Sequence, residues 1–98
     1  MTYQLTTSAK EDLLQLNVYL INEFGVESAN EVLLTIRKQM EQLLNYPTLG
    51  MVPRYRSLRL QGYRYLTVEK HYIFYKVQES VITIIRIIHQ KQTLLNLE

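Results

Sequence analysis

The chain has 98 residues, of which 47% are hydrophobic, so it is long enough for one domain with a core of its own. It contains no cysteine, which excludes disulfides and thiolate metal sites, and its longest apolar runs are too short to span a bilayer. The net charge of +2 is uneven, because residues 1–50 carry −3 and residues 51–98 carry +5, and this predicts an acidic or anionic partner for the second half.

A short strand and then a helix are predicted at the start of the chain. Residues 3–7 alternate enough for a strand, and Ser8 with Glu11 then has the spacing of a capping box that opens a helix. Apolar residues repeat behind it at spacings of three and four, and this stripe comprises Ala9, Leu13, Leu16, Leu20 and Phe24. Gly25 suits the left-handed position that follows a helix.

A second helix is predicted directly afterwards. Its capping box is Ser28 with Glu31, and its apolar stripe comprises Ala29, Leu33, Ile36, Met40 and Leu43. Asn45-Tyr46-Pro47 ends it, because the residue before a proline is pushed out of helical geometry. Since only a few residues join the two helices, we expect an antiparallel helix hairpin.

An antiparallel sheet of three to four strands is predicted for the second half. After a loop at residues 48–53, the predicted strands are Ser57–Leu60, Tyr63–Glu69, Tyr72–Gln78 and Val81–His89. Short joins favour a meander, and the nearly all-apolar last strand is expected to be central, with the hairpin on one of its faces. The predicted fold class is therefore α+β, in a single domain over residues 1–98. Residues 91–98 are compatible with a short helical turn or tail.

An ordered set of short motifs covers nearly the whole chain. It comprises Tyr3, Ser8-Ala9 with Asp12-Leu13, Tyr19, Ala29, Leu43 to Gly50, Gly62-Tyr63-Arg64, Tyr72-Ile73-Phe74-Tyr75 and Ile84 to His89. In this order and spacing, the set resembles the RelE/ParE family of toxins, which are the toxin halves of type II toxin–antitoxin pairs.

The resemblance implies a compact α+β toxin with a cognate antitoxin that is acidic and partly disordered and that wraps and inactivates it. It implies contact with promoter DNA only through the antitoxin. It also implies a cytoplasmic location, without a membrane partner or a cofactor. With His71 and His89 as the only histidines and no carboxylate cluster at ligand spacing, we expect no metal site.

Two toxin activities occur in the family, and the second half of this chain favours one of them. The RelE and YoeB branch cleaves messenger RNA in the ribosome, whereas the ParE branch blocks DNA gyrase and has no recognised hydrolytic site. The Pro47-x-x-Gly50 loop, the Tyr72-Ile73-Phe74-Tyr75 strand and the ending Arg86-x-x-His89-x-x-Gln92 are most similar to the ParE branch. The ribosomal nucleases often show a glycine-aspartate-tyrosine-arginine stretch where this chain reads Glu69-Lys70-His71-Tyr72.

The general base of the YoeB-type nucleases has no counterpart here. Those enzymes use a glutamate before the sheet, and no acidic residue lies between Glu41 and Glu69. Arg64 and His89 match their other two positions, and RelE-type members rely on basic residues instead. The leading interpretation is therefore a growth-arresting inhibitor of DNA gyrase that acts through protein–protein binding. The alternatives are a ribosome-dependent, metal-independent mRNA endonuclease and a non-toxic relative that only binds an antitoxin.

Three residues are the candidates for catalysis if the chain is a nuclease. His89 would be the general acid or base, and Arg64 and Arg86 would clamp the phosphate. Alternatively, His89 is a strand-end histidine bonded to the backbone, and Arg86 forms a structural ion pair, because an unpaired buried arginine is too costly. A period of two would place Arg86 on one face of its strand with Ile84 and Ile88.

Basic and aromatic residues of the second half are the candidates for contact with a partner or with RNA. They are Arg54, Arg56, Arg59, Tyr63, Arg64 and Arg86. Arg54 and Arg56 fit a solvated loop equally well, and the tyrosines fit cross-strand packing. We expect Arg64 to face a partner, with a pair to Glu69 or to an antitoxin carboxylate as the alternative.

Overall fold

The computed structural model describes residues 1–91 as a strand, two long helices, a short helix and three further strands. The elements are β1 (Thr2–Leu5), α1 (Thr7–Phe24), α2 (Val26–Gln42), α3 (Arg56–Leu60), β2 (Arg64–Val68), β3 (His71–Gln78) and β4 (Val81–His89). Residues 92–98, and with them most of the predicted helical turn or tail, lie outside the described residues. Within residues 1–91, no helix is long and apolar enough to cross a membrane.

Helix α1 begins earlier than the predicted capping box. Thr6 is the N-cap, and its hydroxyl accepts a hydrogen bond from the Ala9 backbone N–H at 3.0 Å. The same hydroxyl donates to the Ile85 carbonyl at 2.7 Å, which fastens the start of the helix to β4. The prediction that Ser8 opens the helix was therefore wrong, because Thr6 caps the helix and contacts the sheet at the same time.

Helix α2 follows α1 after the single residue Gly25. Gly25 has a φ of 89°, as predicted from its position, and its N–H donates to the Ile21 carbonyl. Its own carbonyl accepts the first bond of α2, from Ala29. The predicted capping box of Ser28 and Glu31 was wrong, because both residues lie inside a helix that has begun at Val26.

Helix α3 occupies the place of the first predicted strand of the second half. Residues 56–60 read Arg-Ser-Leu-Arg-Leu and contain no β-branched side chain, and arginine and leucine both favour a helix. Leu58 is buried, whereas Leu60 is exposed, so the two leucines do not form one buried face as they would in a strand. Gly62, with a φ of 85°, turns the chain into β2.

The sheet has four strands in the order β1-β4-β3-β2. Strands β2, β3 and β4 form the predicted antiparallel meander, and β4 is an inner strand as predicted. Strand β1 pairs in parallel with the other side of β4, which makes the sheet mixed. The turn between β2 and β3 is formed by Glu69 and Lys70, both with positive φ, one residue earlier than predicted. The α+β fold class is confirmed.

Alternate residues of the sheet build two separate apolar layers. The face covered by α1 and α2, here called the hairpin face, contributes Leu66, Val68, Ile73, Tyr75, Ile82, Ile84 and Ile87 to the main core. The opposite face, here called the outer face, contributes Tyr63, Phe74 and Ile88 and is covered by Leu58 of α3. The two long helices and α3 are thus held on opposite sides of one sheet.

A β-bulge in β4 breaks its alternation. Phe74 pairs with Arg86, but Tyr75 pairs with Ile84, so Ile85 is the extra residue. Consequently Ile84 lies in the main core, whereas Ile88 belongs to the outer layer. The prediction that Ile84, Arg86 and Ile88 share one face was therefore wrong.

Candidate functional site

The loop from Pro47 to Gly50 is held by one buried phenol. The Tyr75 hydroxyl donates to the Pro47 carbonyl at 2.8 Å and accepts from the Gly50 N–H, also at 2.8 Å. Burial raises the pKa of the Tyr75 phenol, while the Gly50 hydrogen bond and the Arg64 charge oppose the rise. The neutral phenol is thus the form that can donate to one end of the loop and accept from the other.

Arg64 fixes the same loop from the end of β2. Its guanidinium donates to the Gly50 carbonyl at 2.9 Å and, at 3.4 Å, to the carbonyl of Thr48. Arg64 is half-buried, and Glu69, the alternative partner considered from the sequence, lies beyond the other end of β2. Arg64 therefore shapes a loop surface that a partner can contact.

Arg86 is engaged with Asp12 of α1. Its Nε donates to Asp12 Oδ2 at 2.8 Å and its Nη2 donates to Oδ1 at 3.0 Å, which is a bidentate pair. Asp12 Oδ2 also accepts the Ile87 backbone N–H at 2.9 Å, directly beside the bulge. The hydrogen bonds that Arg86 donates to Asp12 raise the pKa of the Arg86 guanidinium. The structural ion pair, one of the two alternatives from the sequence, is thus present.

His89 lies beside His71 at the far end of the sheet. The two rings meet edge to face with 5.1 Å between their centroids. His89 Nδ1 accepts the Lys91 backbone N–H at 3.1 Å, and His71 Nδ1 lies 2.7 Å from the Glu69 carbonyl. The backbone bond of His89 agrees with the structural alternative considered from the sequence.

Of the three candidate catalytic residues, Arg86 and His89 line the same cavity between the helix hairpin and the sheet, and Arg64 lies apart from them. Arg64 begins β2 opposite Tyr75, whereas His89 pairs across β3 at the level of Val68, four residues further along β2. Four residues of strand separate the two levels by about 13 Å. Arg86 lies between these levels, and its guanidinium is bound to Asp12. Within residues 1–91, no three histidine, cysteine, aspartate or glutamate side chains are grouped to hold a metal ion.

The outer face presents arginines around α3 and a largely buried aromatic layer. The Tyr63 ring is 8% exposed, packs edge to face on Phe74 and carries the Lys76 ammonium 4.4 Å from its centroid. Little of Tyr63 is therefore left for a partner. Arg54, Arg56 and Arg59 are all exposed.

A groove on the helix hairpin was not foreseen from the sequence. Apolar side chains of β1, α1 and α2 line it, and these include Tyr3, Leu5, Leu13, Leu14, Leu33 and Met40. Lys10 and Arg37 stand at its rim, and no acidic residue lines it. We call it the hairpin groove. The available signal in the sequence was Leu14, an apolar residue beside the predicted core stripe of α1. In the structure it is 66% exposed.

His71 gives the protein a pH-dependent stability. Burial, with the neighbouring His89 as a smaller cause, lowers the pKa of His71 from its ordinary value of 6.5, and the Glu69 carbonyl and charge oppose this. The unfolded chain therefore binds more protons at mildly acidic pH, so the free energy of unfolding should fall as the pH drops below 6.5.

We expect the His71→Gln variant to flatten this dependence between about pH 7.5 and pH 5. Urea denaturation across that range measures it, and an NMR titration of the His71 ring gives the pKa directly. The same slope in variant and wild type, or a His71 pKa at or above 6.5, would contradict the prediction.

Nearly the whole chain is similar to known proteins. A family model described as the ParE toxin of the type II toxin–antitoxin system parDE matches residues 3–94. Toxin ParE1 of Caulobacter vibrioides is 33% identical over 88 residues, which cover 90% of this chain and 88% of that relative. A solved structure of the chromosomal ParDE toxin–antitoxin system from P. aeruginosa covers 91% of this chain and 95% of its own. The match to this chain has a TM-score of 0.76 at 24% sequence identity, which shows a similar fold.

Proposed function

Because this chain belongs to the ParE toxin family of type II toxin–antitoxin systems, we propose that it arrests growth by binding DNA gyrase in the cytoplasm. Binding alone inhibits the enzyme, and the cognate antitoxin reverses it. The complex with the antitoxin contacts promoter DNA only through the antitoxin.

The distance of Arg64 from Arg86 and His89, which line one cavity, is the observation that supports binding over catalysis. Cleavage of RNA by its 2′-hydroxyl needs a base, an acid and cationic stabilisation around one phosphate. Arg64 is bound to loop carbonyls, Arg86 to Asp12, and His89 lies about 13 Å along the strands from the level of Arg64. An acid–base step at one phosphate would need these groups to leave their present partners.

Two assays test this function together. Purified protein is added to a gyrase supercoiling reaction, and messenger RNA is mapped by primer extension after brief induction in cells without the antitoxin. We expect supercoiling to stop, to resume when antitoxin is added, and transcripts to keep their natural ends. New cleavage ends inside translated frames, with gyrase unaffected, would instead favour the nuclease.

The variant His89→Ala separates the same alternatives. Under the binding proposal it arrests growth as the wild type does, because the proposal gives His89 no contact with gyrase; its contacts with the His71 ring and the Lys91 backbone lie within the protein. Restored growth with an intact fold would favour a histidine-dependent nuclease.

We further propose that the antitoxin docks in the hairpin groove. An acidic amphipathic segment needs an apolar floor and a basic rim, and this groove offers leucines between Lys10 and Arg37. Arg64 does not line this groove and donates instead to the Gly50 carbonyl.

The variant Leu14→Asp should weaken antitoxin binding by about tenfold, because it places a carboxylate on the apolar floor of the groove. Leu14 is 66% exposed, so the fold should tolerate the change. The matched control is Leu34→Asp on α2, since Leu34 is 50% exposed and does not line the groove. Calorimetry with purified antitoxin measures both, and equal affinities for the two variants would place the antitoxin elsewhere.

A further inference from the structure

The ten residues from 51 to 60 form a surface of unusual composition on the outer face. Exposed apolar side chains alternate there with exposed arginines, and the apolar ones are Met51, Val52, Tyr55 and Leu60. Leu60 is 71% exposed although it belongs to a helix. We call this the α3 surface, with Arg54, Arg56 and Arg59 as its charges. No acidic residue occurs from residue 42 to residue 68, so the sequence around it offers no local counter-charge.

The arginines of the α3 surface have no carboxylate partner in the described structure. The arginine ion pairs found in residues 1–91 are Arg37 with Glu41 and Arg86 with Asp12. Arg59 reaches only the Arg54 carbonyl, at 3.4 Å. The guanidinium groups are therefore available for bidentate bonds to carboxylates of another molecule.

The backbone of the α3 surface is anchored to the sheet by a buried side chain and by hydrogen bonds. Leu58 is 2% exposed and packs with Tyr63 and Phe74, and Tyr63 donates its backbone N–H to the Leu58 carbonyl. On the other side, Met51 exchanges two backbone hydrogen bonds with Tyr65, at 2.8 and 3.0 Å. A surface fixed in this way loses little conformational freedom on binding, which favours affinity.

The chemistry of this surface fits a protein better than a nucleic acid. Arginine, tyrosine and methionine are enriched at protein–protein interfaces, where they provide most of the binding energy. A phosphate backbone would use the arginines but would leave Met51, Val52 and Leu60 in water. The combination therefore fits an apolar protein surface that carries carboxylates.

The position of the α3 surface separates it from the hairpin groove. The groove lies on the hairpin face beside β1, whereas α3 packs on the outer face and precedes β2, and β1 and β2 are the two edges of the sheet. The groove suits a narrow segment, whereas the α3 surface lies on a short helix that is packed on the outer face through Leu58. Two partners can thus use the two surfaces.

We propose that the α3 surface docks an acidic, partly apolar surface of the protein whose function the toxin blocks. This rests on the proposed function, because it assumes that the chain arrests growth through a bound target. The antitoxin takes the hairpin groove, and Arg54, Arg56 and Arg59 are the charges that recognise the target.

The test uses the double variant Arg56→Glu with Arg59→Glu in the full chain. Growth arrest is measured against the level of induction, and affinity for the purified antitoxin is measured by calorimetry. The induction needed for arrest should rise by about tenfold, while antitoxin affinity stays unchanged and reports an intact fold. Arg56→Lys with Arg59→Lys should show a smaller loss, because lysine keeps the charge but lacks the bidentate fork.

The matched control for growth arrest is Lys38→Glu with Lys91→Glu, which makes the same change of charge on exposed residues outside both the α3 surface and the hairpin groove. It should arrest growth as the wild type does. Arrest by the α3 variant at wild-type induction overturns the proposal. So does a parallel loss of antitoxin affinity, or a short DNA duplex that binds the wild type and not the variant. Arrest without inhibition of supercoiling would refute gyrase as the target, and the arrest measurement would still decide the role of the α3 surface.

Discussion

Asp12→Ala is expected to lower the free energy of unfolding by about 3 kcal/mol, near the lower limit for breaking a buried ion pair. Asp12 accepts three hydrogen bonds, two from the Arg86 guanidinium and one from the Ile87 N–H. The two side chains are 13% and 25% exposed, so the charge left on Arg86 would be only partly hydrated. Loss of the Ile87 bond would also leave a backbone donor without its partner beside the bulge.

A double-mutant cycle separates the pair from the backbone bond. Arg86→Met removes the stranded charge, so Asp12→Ala with Arg86→Met should be more stable than the sum of the single variants by about 1–2 kcal/mol. Glu23→Ala is the matched control, since Glu23 is an exposed acid on the same helix. Urea denaturation gives the free energy of unfolding of all four variants. If Asp12→Ala lowered it by no more than Glu23→Ala does, the role given to the ion pair would be contradicted.

The sequence offered an ion pair with an acid as one of two alternatives for Arg86, but it did not show which acid. Asp12 lies between stripe residues Ala9 and Leu13, on the flank of the helix that faces the sheet, and this placement was the available signal. The register that brings it to Arg86 depends on the bulge at Ile85. A bulge inserts one residue without a compositional mark here, so periodicity alone placed Ile84 and Ile88 on the same face.

The helix starts predicted from the sequence were wrong for a related reason. A capping box is a local pattern, and Ser8 with Glu11 satisfies it as well as any sequence does. Thr6 was selected instead because its hydroxyl also bonds the Ile85 carbonyl of β4. That contact joins residues 79 positions apart, and no local pattern records it. The helix stripes and the strands of the meander were predictable from the sequence. Burial of one face makes apolar residues recur every three to four positions in a helix and every second position in a strand.

The surfaces that bind partners were only partly accessible to sequence reasoning. Unpaired charge is visible in the composition of residues 42–68, so the arginines of α3 could be named. Arg64 looked equally free, yet its bonds go to the carbonyls of Thr48 and Gly50. Backbone carbonyls are present in every segment, so nothing in the sequence distinguishes a loop that will receive an arginine from one that will not.

Gly50→Ala should destabilise the protein by about 2–4 kcal/mol, because a methyl group has no room at this position. A Cβ there would lie 2.5 Å from the Tyr75 hydroxyl, 2.6 Å from its ring and 2.9 Å from the Tyr65 carbonyl. Tyr75 cannot retreat, since it is fully buried and bonded to Pro47. The Tyr65 carbonyl is equally fixed, because it accepts the Met51 N–H. The loop must therefore move away, and both Tyr75 bonds to it would be lost.

Gly62→Ala provides the comparison that isolates this steric effect. Gly62 has a φ of 85° with nothing within 4 Å of an added Cβ, so alanine there should cost only backbone strain, about 1 kcal/mol. Tyr75→Phe should cost about 2 kcal/mol through its two lost hydrogen bonds, and should partly relieve Gly50→Ala because the 2.5 Å contact disappears. Thermal and urea unfolding of the three single variants and the double variant measure these differences. If Gly50→Ala cost no more than Gly62→Ala, the loop would not be anchored on Tyr75. Arg64, which donates to the same glycine carbonyl, would then have to hold the loop without the phenol.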